Sequence, residues 1–106
     1  MTVFEGAAGE PFVQRARDAS RIVESCWANK TRRALLYPEN LTANFFDLSS
    51  GEAGEILDKL RRFKIRLAIV CPPGAVRFSS RFSEILCDDL QVFDDREAAC
   101  AWLDKS

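Results

Sequence analysis

The chain of 106 residues contains no histidine, and this absence narrows the chemistry open to it. A Ser-His-Asp triad or a Cys-His pair cannot be assembled without an imidazole. A zinc or iron site built on histidine ligands is excluded for the same reason. Gly51 and Gly54 do not form a phosphate-binding loop, and Gly54, inside a predicted helix, indicates close packing instead. We therefore predict no catalytic residue, no metal and no cofactor.

Long apolar runs are missing as well. No run approaches the roughly 20 residues that a membrane-spanning helix requires. The first ten residues hold Glu5 and Glu10 and lack the basic segment that opens a secretory signal peptide. We expect a cytoplasmic protein with no membrane partner. The composition, 47% hydrophobic and 29% charged, is that of an ordinary globular protein, and we predict a single domain over residues 1–106.

The four cysteines show no metal-binding spacing, because no two of them form a Cys-x-x-Cys pair. Disulfides are rare in the cytoplasm, so we predict that all four are reduced. Cys26 and Cys100 fall on apolar helix faces, where a free cysteine is usually a small core residue, and we expect both to be shielded. Cys71 follows a predicted strand near helix termini, where the pKa of a thiol can be lowered. A reactive thiol and a packed one are both open there.

The charges are balanced overall and segregated along the chain. The net charge of −1 gives no reason to expect a nucleic-acid partner. Residues 59–81 contain seven basic residues and no acid, whereas residues 84–104 contain seven acids and Arg96 as the only base. One interpretation is that these are solvated faces of successive elements. The other is a contact surface, either in a self-complementary homodimer or with an acidic protein partner.

Residues 44–70 are typical of a loop, an amphipathic helix and a buried strand in succession. Ser49 and Glu52 have the spacing of a capping box, in which each side chain satisfies a backbone NH of the first turn. Acidic residues come early in the segment that follows and basic residues late, which suits the helix dipole. Apolar residues recur at helical spacing: Ala53, Ile56, Leu57, Leu60 and Phe63. The apolar run at 65–70 predicts a strand that is buried on both faces.

The residues before this unit predict a β-rich start, then a helix and a strand. Residues 2–4 could form an edge strand, and residues 11–13 a second short strand. Asp18 is placed to cap a helix that continues to about residue 29. Its expected buried stripe is Ala19, Ile22, Val23, Cys26 and Trp27. A buried strand is predicted at 34–37.

The residues after the unit predict a helix, a strand and a final helix. Ser79 or Ser80 begins the first of these helices, and a short strand follows at 91–93. Asp94 and Glu97 repeat the capping-box spacing. The inner face of the final helix is predicted to hold Ala98, Trp102 and Leu103. Because helices and strands alternate, we predict an α/β fold with a single small sheet, mostly parallel with a mixed N-terminal edge, flanked by about four helices.

Three blocks of the sequence, Phe-Phe-Asp-Leu-Ser, Ala-Gly-Glu-Ile-Leu and Leu-Ala-Ile-Val, resemble in this order a bacterial family known as domain of unknown function 4180. The resemblance covers about residues 18–103 and is dense in the central third. It implies a bacterial protein and no particular activity. Cys71-Pro72-Pro73 and Asp88-Asp89-Leu90 depart from the family pattern, so a site that used those positions would be altered here.

A second resemblance concerns the fold. Asp47-Leu48-Ser49-Ser50-Gly51 is similar to the Asp-Ser-Ser-Gly motif of sulfate-transporter and anti-sigma-factor-antagonist (STAS) domains, with Leu48 inserted. The block also stands between a predicted strand and a predicted helix, as the motif does in those domains. The resemblance implies a STAS-like arrangement in which Ser49 or Ser50 could be phosphorylated.

Ligands of open parallel sheets bind beyond the carboxyl ends of the strands, and the loops at 38–50 and 71–80 leave that edge. The polar groups that they could present include Asn40 and Thr42. The ligand or phosphorylation candidates are Asn44, Asp47, Ser49, Ser50, Ser79 and Ser80. Anions are favoured beside helix N-termini, but caps and turns use the same residue types. Both interpretations stay open.

We therefore expect a non-catalytic regulatory or protein-interaction module. The alternative is a binder of small anions or nucleotides, or a weak enzyme that uses Asp47 and the serines at the loops after the parallel strands. The absence of histidine, and of acid and base groups that converge, favours the module.

Overall fold

The computed structural model of the chain describes residues 3–6, 11–13, 18–41, 51–72 and 89–104. In this part of the chain, four strands form one sheet in the order β1-β2-β3-β4, and three α-helices flank it. The strands are β1 (Phe4–Glu5), β2 (Arg33–Leu36), β3 (Arg66–Val70) and β4 (Leu90–Phe93). The helices are α1 (Ala19–Ala28), α2 (Glu52–Arg62) and α3 (Arg96–Asp104), and a 3-10 turn covers Pro38–Asn40.

The α/β class is confirmed, and every described strand pair is parallel. The predicted mixed N-terminal edge is wrong, because β1 pairs with β2 in parallel, with Phe4 opposite Ala34. Residues 11–13 are not a strand: the NH groups of Phe12 and Val13 both donate to the Asn40 carbonyl. The helix predicted from Ser79 or Ser80 lies outside the described residues, so the helices described are three rather than about four.

The sheet has a buried core on each face. Helices α1 and α2 pack on one face, as expected for consecutive right-handed crossovers between neighbouring strands. Strand residues of that core are Ala34, Leu36, Leu67, Ile69 and Leu90. Helix α3 covers the other face, where Ala99 and Leu103 meet Leu35, Ala68 and Val70. Strand β3 is therefore buried on both faces, which confirms the prediction made from its continuous apolar run.

Two of the three helix starts differ from the predicted caps, by one and two residues. Asp18 is at the N-cap of α1 as predicted, without a side-chain cap hydrogen bond. The N-cap of α2 is Gly51 and not Ser49; its φ of 78° is left-handed, which glycine adopts easily. At α3, the Asp95 side chain, not that of Asp94, accepts the cap bond, from the NH of Ala98 at 2.7 Å. Asp94 and Asp95 are adjacent, so both are possible caps, and the register of α3 selects Asp95.

Three predictions about helix faces are wrong. Trp27 is 58% exposed, because it lies one helical step beyond the buried stripe and packs edge-to-face on Phe63 at the rim. Ala98 is exposed, and Ala99 takes the buried position of α3. Gly54 is exposed, and a Cβ atom there would have no described neighbour within 4 Å, so close packing does not explain it. None of the described helices is long and apolar enough to cross a membrane.

Helices α1 and α2 end in the same turn before the strand that follows. After α1, the NH of Lys30 donates to Trp27 O (3.0 Å) and the NH of Thr31 donates to Cys26 O (2.9 Å). After α2, the NH of Lys64 donates to Arg61 O (3.1 Å) and the NH of Ile65 donates to Leu60 O (2.9 Å). Both pairs have the pattern of a Schellman motif, whose central residue is left-handed and usually glycine. Here the central residues are lysines, Lys30 with φ of 54° and Lys64 with φ of 56°.

Candidate functional site

The carboxyl edge of the sheet is only partly described. All six predicted site residues, Asn44, Asp47, Ser49, Ser50, Ser79 and Ser80, lie outside the described residues. Their roles remain predictions. The described part of the edge consists of the strand ends and the segments that leave them: Glu5 at the end of β1 and Gly6 after it, the 3-10 turn after β2, Cys71 after β3 and Asp94 after β4.

Hydrogen bonds of Asn40 connect two of the chain segments that meet at this edge. Its side-chain Oδ1 accepts a hydrogen bond from the NH of Tyr37 at 2.8 Å, and its own NH donates to the Tyr37 carbonyl at 2.9 Å. Its carbonyl accepts from the NH groups of Phe12 (3.1 Å) and Val13 (2.7 Å). The residue is only 1% exposed. Asn40, expected among the polar groups that could face a ligand, is therefore a structural residue that holds residues 11–13 against the end of β2.

Gly6 fits closely against this asparagine. A Cβ atom at position 6 would lie 2.5 Å from Asn40 Oδ1 and 2.8 Å from Leu36 Cδ2. The NH of Gly6 donates to Leu35 O at 2.9 Å and extends the pairing of β1 with β2. Glycine is thus required here by space. The sequence analysis missed it, since a glycine near the N-terminus also fits a flexible turn.

Glu5, Tyr37 and Arg96 form a hydrogen-bonded cluster at the same edge, which we call the Glu5 clamp. The Tyr37 hydroxyl donates to Glu5 Oε2 at 2.5 Å. Arg96 donates a hydrogen bond to each oxygen of the same carboxylate, from Nη2 to Oε1 at 2.9 Å and from Nε to Oε2 at 3.2 Å. The clamp joins the edge strand β1, the residue after β2 and the first residue of α3. Sequence reasoning missed it, although Arg96 was the one base noted in an acidic segment.

The clamp shifts the pKa values of both weak acids away from neutrality. The hydrogen bonds from Arg96 and Tyr37 lower the pKa of Glu5 below its ordinary 4.5. Burial, followed by the hydrogen bond to Glu5, raises the pKa of Tyr37 above its ordinary 10.0. The hydrogen bond to Glu5 also raises the pKa of Arg96. Near neutral pH the carboxylate therefore stays charged and the phenol stays protonated, and each is held by its partners.

Cys71 is at the end of β3 as predicted, but it is buried. It is 4% exposed, its NH donates to Phe93 O at 2.7 Å, and its Sγ lies 3.9 Å from Pro72 O. This supports a packed cysteine over a reactive one. Cys26 is buried as predicted, and burial raises the pKa of its thiol to about 11. Cys100 is half-buried, and these three described cysteines are free thiols. Cys87 lies outside the described residues.

The acidic pair Asp94 and Asp95 does not form a metal site with its described neighbours. Both residues are exposed, and Asp95 caps α3. Over the residues that the structure describes, no group of three or more potential metal ligands comes together. A second pair of adjacent acids is Asp88 and Asp89. Asp89 forms an ion pair with Arg61, Nε to Oδ2 at 3.3 Å, and Asp88 lies outside the described residues.

Comparison with known proteins gives one match. Neither the curated proteins nor the solved structures yield a similar chain. The family model described as "Domain of unknown function (DUF4180)" matches residues 1–103. The match covers nearly all of the 106 residues, including every described strand and the two helices of the larger core. The chain therefore belongs to the DUF4180 family.

Proposed function

We propose that the protein is a non-catalytic regulatory or protein-interaction module of the bacterial cytoplasm. The observation that carries this proposal is the Glu5 clamp. General acid–base catalysis works best with groups whose pKa lies near the operating pH. The pKa values of Glu5 and Tyr37 are both shifted away from neutral pH, and the two side chains are hydrogen-bonded to each other. Such a cluster stabilises the edge of the sheet and keeps its shape constant for a partner.

The proposal includes a STAS-like role for the segment before α2. Two features support it: the α/β alternation, and the position of Gly51 at the start of α2, directly after Ser49 and Ser50. A phosphate on either serine would add about two negative charges at a helix N-terminus, where the dipole tolerates them. The effect would then fall on a partner surface rather than on the fold. Glu52 and Glu55 in the first turn would add to the negative potential.

The test compares partner binding by the wild type with that by Ser49→Asp and Ser50→Asp. Proteins retained from a lysate of the source cell are identified, purified and titrated against each variant. Ser20→Asp, which places the same charge in the first turn of α1, is the matched control. We expect Ser49→Asp or Ser50→Asp to weaken binding while the melting temperature stays within a few degrees. A purified partner that binds all four proteins equally would refute the switch.

The alternative function, binding of a small anion or nucleotide at the loops after the strands, would use Asp47 and the serines. The described feature that favours it is the N-terminus of α2, capped by Gly51 directly after these serines, because helix N-termini favour anions. Mutation separates the two proposals. Ser49→Ala/Ser50→Ala should weaken anion binding if the loop is a ligand site, because it removes two hydroxyl donors, and should leave partner binding within about twofold if the serines act only when phosphorylated.

A further inference from the structure

Among the described residues, five cations gather at the opposite, amino edge of the sheet. A cavity of about 420 Å³ opens there, and the described residues that line it are Lys30, Arg32, Arg33, Lys64 and Arg66. We call these five residues the basic recess. Lys30 and Lys64 come from the turns after α1 and α2. Arg33 and Arg66 are the first residues of β2 and β3, and Arg32 directly precedes β2. The fold thus gathers cations from two separate crossovers into one concave surface.

An exposed aromatic ring stands beside the basic recess. A second cavity of about 410 Å³ is lined by Trp27, Lys30, Thr31 and Arg32, so it shares two cations with the first. Trp27 is 58% exposed, and its ring packs edge-to-face against Phe63, with ring centroids 5.3 Å apart. A fixed indole with free surface is suited to contact a planar group of a ligand.

The turn lysines are placed against the preference of the backbone. Lys30 and Lys64 have φ of 54° and 56° in Schellman turns, where glycine fits without steric conflict. Both turns nevertheless carry lysine, and both lysines line the same cavity. Folding alone would be better served by glycine at either position. The charge of the lysines offsets part of this cost at the helix C-termini, and it also makes the cavity that both line positive.

The arginines are held in place by α3. Arg33 and Arg66 are direct partners across the β2–β3 pair, where like charges repel. Arg33 Nε donates to Leu103 O at 2.9 Å, and the Arg66 guanidinium lies 5.8 Å from the centre of the Trp102 ring. The C-terminus of α3 offsets a fraction of a charge. Three further cations, Lys30, Arg32 and Lys64, complete the recess, so it gathers more positive charge than one helix C-terminus can offset.

We propose that the basic recess binds the phosphates of a nucleoside polyphosphate, with the base against Trp27. Five cations in one small concavity suit a compact polyanion, and cavities of this size fit a small ligand. The adjacent ring-lined cavity fits the planar part of the same molecule. This site does not involve the Glu5 clamp or the loop that carries Ser49 and Ser50, so a negative result here would not refute the proposed function.

The test is titration calorimetry of the full chain with ATP, inorganic tripolyphosphate, adenosine and a polyglutamate peptide at low ionic strength. The first variant is Lys30→Gly/Lys64→Gly, which removes two charges and keeps the turn geometry. Lys59→Gln, a lysine of α2 outside the recess, is the charge control. The second variant is Trp27→Leu. A Trp102→Phe background leaves Trp27 as the only tryptophan, so that quenching of its fluorescence reports contact with the base.

We expect ATP to bind more tightly than tripolyphosphate, and adenosine to bind weakly. The double glycine variant should lose about tenfold or more in ATP affinity, because charge-assisted contacts are lost. Its melting temperature should not fall, so unfolding cannot account for the loss. Trp27→Leu should lower the affinity for ATP and leave the affinity for tripolyphosphate unchanged. Equal loss in Lys59→Gln, equal affinity for ATP and tripolyphosphate, or tighter binding of a polyglutamate peptide than of ATP would each overturn the proposal.

Discussion

Glu5 and Arg96, 91 positions apart in the sequence, form a two-point ion pair that fastens β1 to α3. Strand β1 is only two residues long and occupies the edge of the sheet. A strand this short gains little from its own ladder of hydrogen bonds, so contacts from its side chains matter more than usual. Arg96 supplies that contact, and Tyr37 supplies a second one to the same carboxylate.

The first prediction concerns acid stability. The pKa of Glu5 is lowered in the folded protein from 4.5. Its contribution is therefore fully present above pH 4.5 and is lost as the pH falls through the lower, folded-state value. Arg96→Gln should lower the melting temperature at neutral pH, and the difference from wild type should shrink as the pH falls through this window. A difference that stays constant down to low pH would show that Arg96 acts without the carboxylate.

The second prediction concerns the tyrosine. Tyr37 is the only tyrosine of the chain, so its ionisation can be followed by ultraviolet absorbance without assignment. Its pKa is raised above 10.0, by burial and by the hydrogen bond to Glu5. The stabilisation is present below pH 10 and is lost as the pH rises through the folded-state pKa. Glu5→Gln should move the titration back toward 10. The same titration in denaturant gives the unfolded reference, and identical midpoints in all three samples would contradict the clamp.

The third prediction compares neighbours on α2. Leu57 is 7% exposed in the larger core, and Leu57→Ala should cost about 2–5 kcal/mol by leaving a cavity. Asp58 is exposed and pairs only with Arg62 one turn away, at 3.3 Å among the described contacts. Asp58→Ala should therefore cost at most about 0.5 kcal/mol. Denaturant unfolding of both variants provides the measurement. Equal losses would mean that the orientation of α2 is wrong.

The fourth prediction uses two glycines. Gly6→Ala should destabilise the protein by about 1–3 kcal/mol, because its Cβ would overlap Asn40 Oδ1 and Leu36. Gly54→Ala is the matched control, since the site is open and lies in the first turn of α2. It should stabilise the protein by about 0.5–1 kcal/mol. Thermal and denaturant unfolding distinguish the two. If Gly6→Ala is tolerated as well as Gly54→Ala, residues 3–6 do not pack against the 3-10 turn as described.

Elements whose buried residues recur at a regular spacing could be predicted from the sequence. The apolar periodicity of α2 and the continuous run of β3 are decided by burial alone, and both predictions are confirmed. Features that depend on distant partners could not be predicted. Glu5 and Arg96 meet only after the sheet is assembled, and the fit of Gly6 depends on an asparagine 34 positions later.

The candidate site divides in the same way. The strand ends that carry the predicted loops lie where expected. The predicted cap at Asp94, close packing at Gly54 and burial of Trp27 are wrong, because local spacing does not reveal helix register or rim positions. The convergence of Lys30 and Lys64 was also beyond local spacing. Each lysine follows its own helix, and only the parallel pairing of β2 with β3 brings the two turns together.

The last prediction concerns the stability of these turns. Lys30 and Lys64 have left-handed backbones, which costs a residue with a side chain roughly 1–2 kcal/mol that glycine avoids. Glycine loses some of this advantage because its unfolded state is more flexible. Lys30→Gly and Lys64→Gly should therefore each raise the unfolding free energy by about 0.5–1 kcal/mol. The gain should shrink at high salt, because part of it comes from reduced repulsion in the basic recess. Lys59→Gly is the opposite control: inside α2, glycine should cost about 1 kcal/mol. Denaturant unfolding at two salt concentrations measures all three. A loss of stability in either turn variant would show that the lysine side chain supports the fold, and the argument that its charge serves a ligand would then lose its basis.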